Sequence, residues 1–193
     1  MVKVVRVSPA KLKAAVAYLA QQTHPGKVKL FKLLYLADFA AFAKRGSSIT
    51  GETYENFEMG PVPRRLWRNL DLYAEVESDS QGGPLAEQRI SAKADADMQA
   101  LSEEEIAILT DVITRYGQLT GKQLRALTHA EIPYRVTQRG EEIPYALAPY
   151  HQAERPTEEE VTRLRSNPDY VARLRKTAST EGETRKVGAK RSA

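Results

Sequence analysis

Gly46 and Gly51 stand with four residues between them in "GSSITGE", the opening spacing of the phosphate loop G-x-x-x-x-G-K-[ST], whose backbone N–H groups cradle phosphates. Glu52 occupies the place of the lysine, and a carboxylate there repels the anion those groups would hold, so the spacing is read as structure. Asp38 is a single carboxylate in the apolar run "KLLYLADF", within one helical turn of Tyr35. Burying it costs several kcal/mol unless it is hydrogen-bonded or paired, so it is expected to hold the N–H groups of a loop or an arginine. His24, His129 and His151 have no metal-ligand spacing and each lies beside an expected turn, where a polar corner accounts for it. Glu103–Glu105 and Glu158–Glu160 fall in first helical turns, where acids complement the helix dipole, and solvated faces are expected there. The chain has no cysteine, which excludes disulfides, thiolate metal sites and a cysteine nucleophile. With no serine in a nucleophile elbow, no metal cluster and no phosphate loop, the expectation is a protein that is not an enzyme and uses no cofactor or metal.

The elements that position these groups are mostly helices. Ser8-Pro9 is an N-cap with proline at the first helical position, opening a helix to Ala20, and "THPG" at 23–26 breaks the chain. From Lys27 to Lys44 the sequence is apolar on nearly every side, which predicts a central helix surrounded by others, ended by Arg45-Gly46. Ile49 to Met59 alternates and is rich in Thr, Tyr and Phe, predicting two short strands about Gly51 to Asn56. "GPVP" is expected to end that hairpin: Gly60 supplies backbone freedom, Pro61 fixes φ, and Pro63 starts a helix over 62–72 with Leu66, Leu70 and Tyr73 buried. "SDSQGGP" reads as a loop and "QRISA" as one further short strand. Ser102 with Glu105, Thr120 with Gln123, and Thr157 with Glu160 are capping boxes. The first opens a helix with Ile106, Leu109, Ile113 and Tyr116 on one face; Leu119 and Leu124 staple the second; Asn167-Pro168 starts a last short helix. The fold class is therefore mainly α: a compact helical domain around a buried central helix, with an inserted β-hairpin and one further short strand.

The 193 residues, 41% hydrophobic and 28% charged, suit one domain with a tail: a helical domain over 1–150, a helical extension over 151–176 and a basic tail over 177–193. Half of the net charge of +4 lies in that tail, whose only large aliphatic residue is Val187, so it is expected to be disordered. The amino end is too charged for a secretory signal, and the longest apolar run, "LLYLADFAAFA", carries Asp38 and falls short of the roughly 20 residues a membrane span needs. A cytoplasmic protein with no membrane partner is expected.

Lys32–Asp38 ("KLLYLAD"), the turn Arg45, Gly46, Ile49, Thr50 and Gly51, and the aromatic strand running into Gly60–Pro63 together resemble the Panacea domain of the SocA/GepA-like group of antitoxins and phage-associated proteins. "LTHAEIPY" (Leu127–Tyr134) is similar to a later segment of the same family. The resemblance covers residues 10–145, most strongly in the first half. Met59 stands where an aromatic residue is common in the family, and Asn56 where a small one is. The resemblance implies an antitoxin that binds a cognate protein toxin directly and neutralises it. At least one relative is a proteolytic adaptor, so an AAA+ protease is a second implied partner.

The expected partner surface is the hairpin and the segment after it. Tyr54, Phe57, Met59 and Trp67 are large groups of the kinds that interface centres favour, with Arg64, Arg65 and Arg68 as a charged rim and His129 and Tyr134 on a neighbouring face. Asp38, Gly51, Gly60 and Pro61 are the expected structural residues. The alternative is a DNA-binding regulator: the helix at 102–116, the turn at "GQL" and the helix from Thr120 have helix-turn-helix proportions, with Lys122, Gln123 and Arg125 near the front of the second helix. The body outside the tail is too nearly neutral to mark a strong nucleic-acid footprint.

Overall fold

In this computed structural model, which describes residues 7–77 and 88–151 together with 159, 162 and 166, the chain is built around helix α2 (Lys27–Arg45). Every residue of α2 from Leu30 to Phe39 is buried, as its all-round apolar sequence predicts. Helix α1 (Pro9–Thr23) precedes it, started by Ser8 and ended by His24, which takes a left-handed conformation and donates its N–H to Ala20 O. Around α2 lie strands β1 (Tyr54–Phe57) and β2 (Gly60–Pro63), short helices α3 (Arg64–Arg68) and α4 (Leu70–Tyr73), strands β3 (Ala74–Glu77) and β4 (Arg89–Ala92), and helices α5 (Glu103–Tyr116), α6 (Gly121–Ala130) and α7 (Ile132–Val136). Helix α2 packs on α1, α5, α6, β2 and the 3-10 segment Tyr145–Tyr150. Leu12, Val16 and Leu19 of α1, Leu109 and Val112 of α5 and Leu124 of α6 complete one core with it.

Two buried carboxylates fasten this arrangement. Asp38 accepts from Ile49 N–H and Thr50 N–H, each at 2.9 Å, from the Thr50 hydroxyl, and from the Tyr54 hydroxyl at 2.8 Å. Burial pushes its carboxyl up to about 6 against the opposing pull of these donors, so the group is ionised at neutral pH. Glu105 closes its capping box with Ser102 N–H at 2.9 Å, but it is fully buried rather than solvated, which corrects the expectation for the acidic triplet. It also accepts from Lys11 Nζ at 2.7 Å and from Arg45, joining the start of α1, the end of α2 and the start of α5. Burial raises its pKa, and the bonds from Lys11, Ser102 and Arg45 outweigh that and hold it below the usual carboxylate value. The buried face of α5 is accordingly Glu105, Ile108, Leu109 and Val112, with Ile106, Ile113 and Tyr116 only half-buried at its flank.

The β elements differ most from expectation. "GPVP" does not end the hairpin; it is the second strand, pairing Tyr54↔Pro63, Glu55↔Val62, Asn56↔Pro61 and Phe57↔Gly60, with the turn at Glu58-Met59. Proline is tolerated because both prolines lie opposite residues whose backbone groups turn to the other edge of β1. There Asn56 N–H donates to Glu141 O at 2.9 Å and Ile143 N–H to Tyr54 O at 2.8 Å. The helix expected over 62–72 begins at Arg64 and breaks at Asn69, whose side-chain Nδ2 donates to Arg65 O at 3.0 Å and competes with the helical pattern. "QRISA" forms β4, but it pairs with β3, a strand the sequence does not announce because only Ala74 of "AEVE" is buried. The expected loop 78–84, the extension 151–176 apart from residues 151, 159, 162 and 166, the caps at Thr157 and Asn167 and the tail 177–193 lie outside the described residues. Among the described residues no helix is long and apolar enough to cross a membrane.

Replacing Asp38 by Ala leaves two buried N–H groups and two hydroxyls without their acceptor, a loss expected to exceed about 3 kcal/mol. For a chain of this length that lowers the melting temperature by roughly 6–12 °C. A thermal melt within about 2 °C of the parent would show that the loop is held by other contacts.

Candidate protein-binding site

The hairpin tip overhangs the first turns of α2 and faces α3. Between them lies a cavity of about 290 Å³, lined by Val28, Phe31 and Lys32 of α2, Phe57, Met59 and Val62 of the hairpin, and Trp67 of α3, with Lys27, Glu58 and Arg139 at its edges. Phe57 and Trp67 pack with ring centroids 5.4 Å apart. Met59 and Trp67 nevertheless remain 44% and 43% exposed, unusual for side chains that line an apolar cavity. Glu52, the residue that spoils the phosphate loop, is buried and caps this corner: it accepts from Arg65 N–H at 3.0 Å and Leu66 N–H at 2.8 Å at the start of α3. This fixes the helix that carries Trp67.

The hairpin is braced from behind by the "LTHAEIPY" segment. Tyr134 donates its hydroxyl to Phe57 O at 2.9 Å, and Asn56 Nδ2 donates to Tyr134 O and Thr137 O, both at 2.8 Å. Asn56, which departs from the family pattern, is thus a buried tie rather than a surface group. His129 stacks on Tyr134 at 4.3 Å; burial, with the positive charges of Arg125 and Lys32, holds its imidazole below the ordinary value and leaves it neutral at pH 7. Phe57, Met59 and Trp67 therefore come together at one cavity, while His129 and Tyr134 stand behind them. Tyr54 does not join the surface: it is fully buried and bonded to Asp38. Arg64 is tied to buried Glu55, and Arg65 and Arg68 are exposed beside Trp67 in the chain. Gly51 and Gly60 both take positive φ, at 73° and 94°, conformations open to glycine at little cost.

Lys32 and Arg139 join the site without standing among the residues expected there. Lys32 is 1% exposed and donates to Pro61 O at 2.7 Å. Its approach to the hairpin needs the bare backbone at Gly60, where a Cβ would lie 2.8 Å from Lys32 Cε. Burial, reinforced by Arg125, lowers the Lys32 pKa to about 7. The signal was available: Lys32 interrupts an apolar helix as plainly as Asp38 does. Arg139 arrives from far along the chain and meets Glu58 at 3.2 Å, a contact no local pattern announces. Among the described residues no group of three or more His, Cys, Asp or Glu side chains could hold a metal ion.

A family model described as "Antitoxin SocA-like, Panacea domain" matches residues 30–133, just over half of the chain, and spans α2, the hairpin, the Trp67 corner and the brace as far as Pro133. Comparisons with curated proteins and with solved structures gave no match.

The Lys32 environment has a pH signature. Below about pH 7 the amine is charged in the folded and unfolded chain alike, and the full cost of burying the charge is present. Between about 7 and 10.5 the unfolded chain still binds the proton and the folded chain releases it, so stability rises with pH. Chemical denaturation of the parent and of Lys32→Met should therefore show the parent gaining on the variant from pH 7 to 10. A constant difference over that window would mean that Lys32 is not buried as described.

Proposed function

The chain belongs to the antitoxin SocA-like family that carries the Panacea domain, and from that premise we propose that it captures a cognate protein toxin by direct contact through the face around the Met59–Trp67 cavity. The observation that carries this reading is a pair of exposed large side chains bordering an apolar cavity, beside a hairpin whose β1 strand is hydrogen-bonded on both sides, to β2 and to 140–143. Interface centres concentrate their energy in such anchors and the pockets beside them, and a surface already ordered loses little entropy on binding. Arg65 and Arg68 supply a charged rim; Arg64 supports the hairpin through Glu55, and His129 and Tyr134 support it from behind.

Neutralisation in this reading is binding and not catalysis, so toxin activity falls in proportion to the amount of this chain added. Direct contact is the step shared by occlusion of the toxin and its delivery to an AAA+ protease. Toxin half-life with and without the protease separates the two. Less supports the DNA-binding reading. Gln123 uses its Oε1 on Thr120 N–H at 2.9 Å to cap α6, and α6 packs along α2, leaving Lys122 as the exposed cation at its front.

Co-expression with the product of the neighbouring gene tests the antitoxin role: growth is expected to recover and a stable complex to co-purify. A neighbour that is harmless alone, or toxic and unaffected by this chain, overturns it. Within the complex, Trp67→Ala should weaken capture by about 2 kcal/mol, roughly 30-fold, while the melting temperature stays near the parent's because the ring is half out of the fold. A Met59→Ala/Trp67→Ala double variant that melts normally and neutralises at full strength would move the interface elsewhere.

A further inference from the structure

Almost every buried charged group among the described residues has a compensating partner. Asp38 has its four donors, Glu52 three backbone N–H groups, and Glu105 the Lys11 and Arg45 cations. Glu55 has Arg64, and Glu131 lies 3.1 Å from the His151 imidazole. Lys32 is the buried cation without a counter-charge: one carbonyl oxygen, Pro61 O, accepts from its three-donor ammonium, and no carboxylate among the described residues pairs with it. The charge nearest in effect is Arg125, of the same sign. Lys27 adds positive charge beside the cavity that Lys32 helps to line, where Arg139 and the one acid, Glu58, pair with each other. A buried cation without a counter-charge is costly, and an anion from outside the chain would relieve that cost. The cavity fixes the rest of the ligand. Its walls are Phe31, Phe57, Val62 and Trp67, and about 290 Å³ is at the small end for ligand sites, too little for a nucleotide or a large cofactor.

We propose that this cavity is a site for a single carboxylate carried on an apolar body, the body occupying the space under Trp67 and Met59 and the carboxylate supplying the counter-charge that Lys32 lacks. A lone ammonium matches a monoanion; a phosphate dianion in so apolar a site would lack donors for its remaining oxygens. The carboxylate has two sources, a free aliphatic or aromatic acid or the C-terminal carboxylate of a polypeptide ending in an apolar residue. The location rests on the reading of this face as a binding face, but not on the partner's being a toxin.

Trp67 is the only tryptophan in the chain, so its fluorescence reports the cavity alone. Octanoate added to the purified full-length chain is expected to shift Trp67 emission to the blue saturably, with affinity at least about tenfold tighter than octanol of the same chain length. Lys32→Met should erase that preference, and Val28→Phe, which fills the cavity and keeps the lysine, should erase binding of both; a thermal melt verifies that each variant folds. An N-acetyl dipeptide ending in phenylalanine, with a free or an amidated terminus, assigns the source: preference for the free terminus supports a chain end, and a response to octanoate alone supports a free acid. Equal binding of octanoate and octanol, full octanoate affinity in folded Lys32→Met, or no response to any probe would overturn the proposal. Neutralisation assayed on the same variants keeps the two readings apart, because toxin capture without carboxylate preference leaves the antitoxin role standing, and carboxylate binding without capture leaves this site standing.

Discussion

The arrangement depends on one ionised carboxylate inside an apolar helix. Asp38 is stable there because four donors converge on it, two of them backbone N–H groups of the turn that follows α2. Desolvation alone would expel or neutralise the charge; the donors hold it ionised. The same contacts set the direction of the chain leaving α2. Thr50 and Tyr54 are fixed to the helix, Glu52 between them is delivered to the start of α3, and β1 begins with its register already determined. The Trp67 corner inherits its position from Asp38 through that short sequence of bonds.

Lys32 is the counterpart at the other end of the buried stretch. Six residues separate it from Asp38, which places the two about 9 Å apart along the axis and about 120° apart around it. Asp38 therefore grips the base of the hairpin while Lys32 reaches β2 on a different side, at Pro61 O. The two charges differ in satisfaction. Asp38 has a full set of partners and acts as a clamp, whereas Lys32 has the one acceptor, Pro61 O, and helps to line a cavity. An inward-facing charge with a complete shell is explained by the fold, and one with an incomplete shell calls for a partner outside it.

What was legible in the sequence follows from the range over which each interaction acts. Caps at Ser8, Ser102 and Thr120 and the end of α2 at Gly46 are local, and they lie where the residues say. The central helix was legible because apolar residues on every side admit one placement. Strand β3 was not, because its pairing with β4 joins segments that carry no shared pattern, and "GPVP" was misread because its prolines suit a strand only when the opposite residues turn away to a third segment, 140–143. Glu105 was placed in solvent by its neighbours Glu103 and Glu104; its burial depends on Lys11 and Arg45, both remote in sequence. At the candidate site Phe57, Met59 and Trp67 were legible from residue type, while the inward turn of Tyr54 and the part played by Arg139 required tertiary contacts.

The bracing of the hairpin bears on how such a surface works. A two-stranded ribbon alone is marginal in water, and a partner binding to it would have to supply the ordering free energy. Here the ribbon is bonded along β1 to 140–143, stitched to α7 and to Thr137 just after it through Asn56 and Tyr134, and seated on α2 through Pro61. Ordering is supplied by the fold before any partner arrives, which leaves the turn residue Met59 and the ring of Trp67 free to vary at little cost to stability. In the proposed binding mode the contact residues are decoupled from the core, so substitution at the tip and corner would change the partner with the clamp at Asp38 and the brace at Tyr134 unchanged.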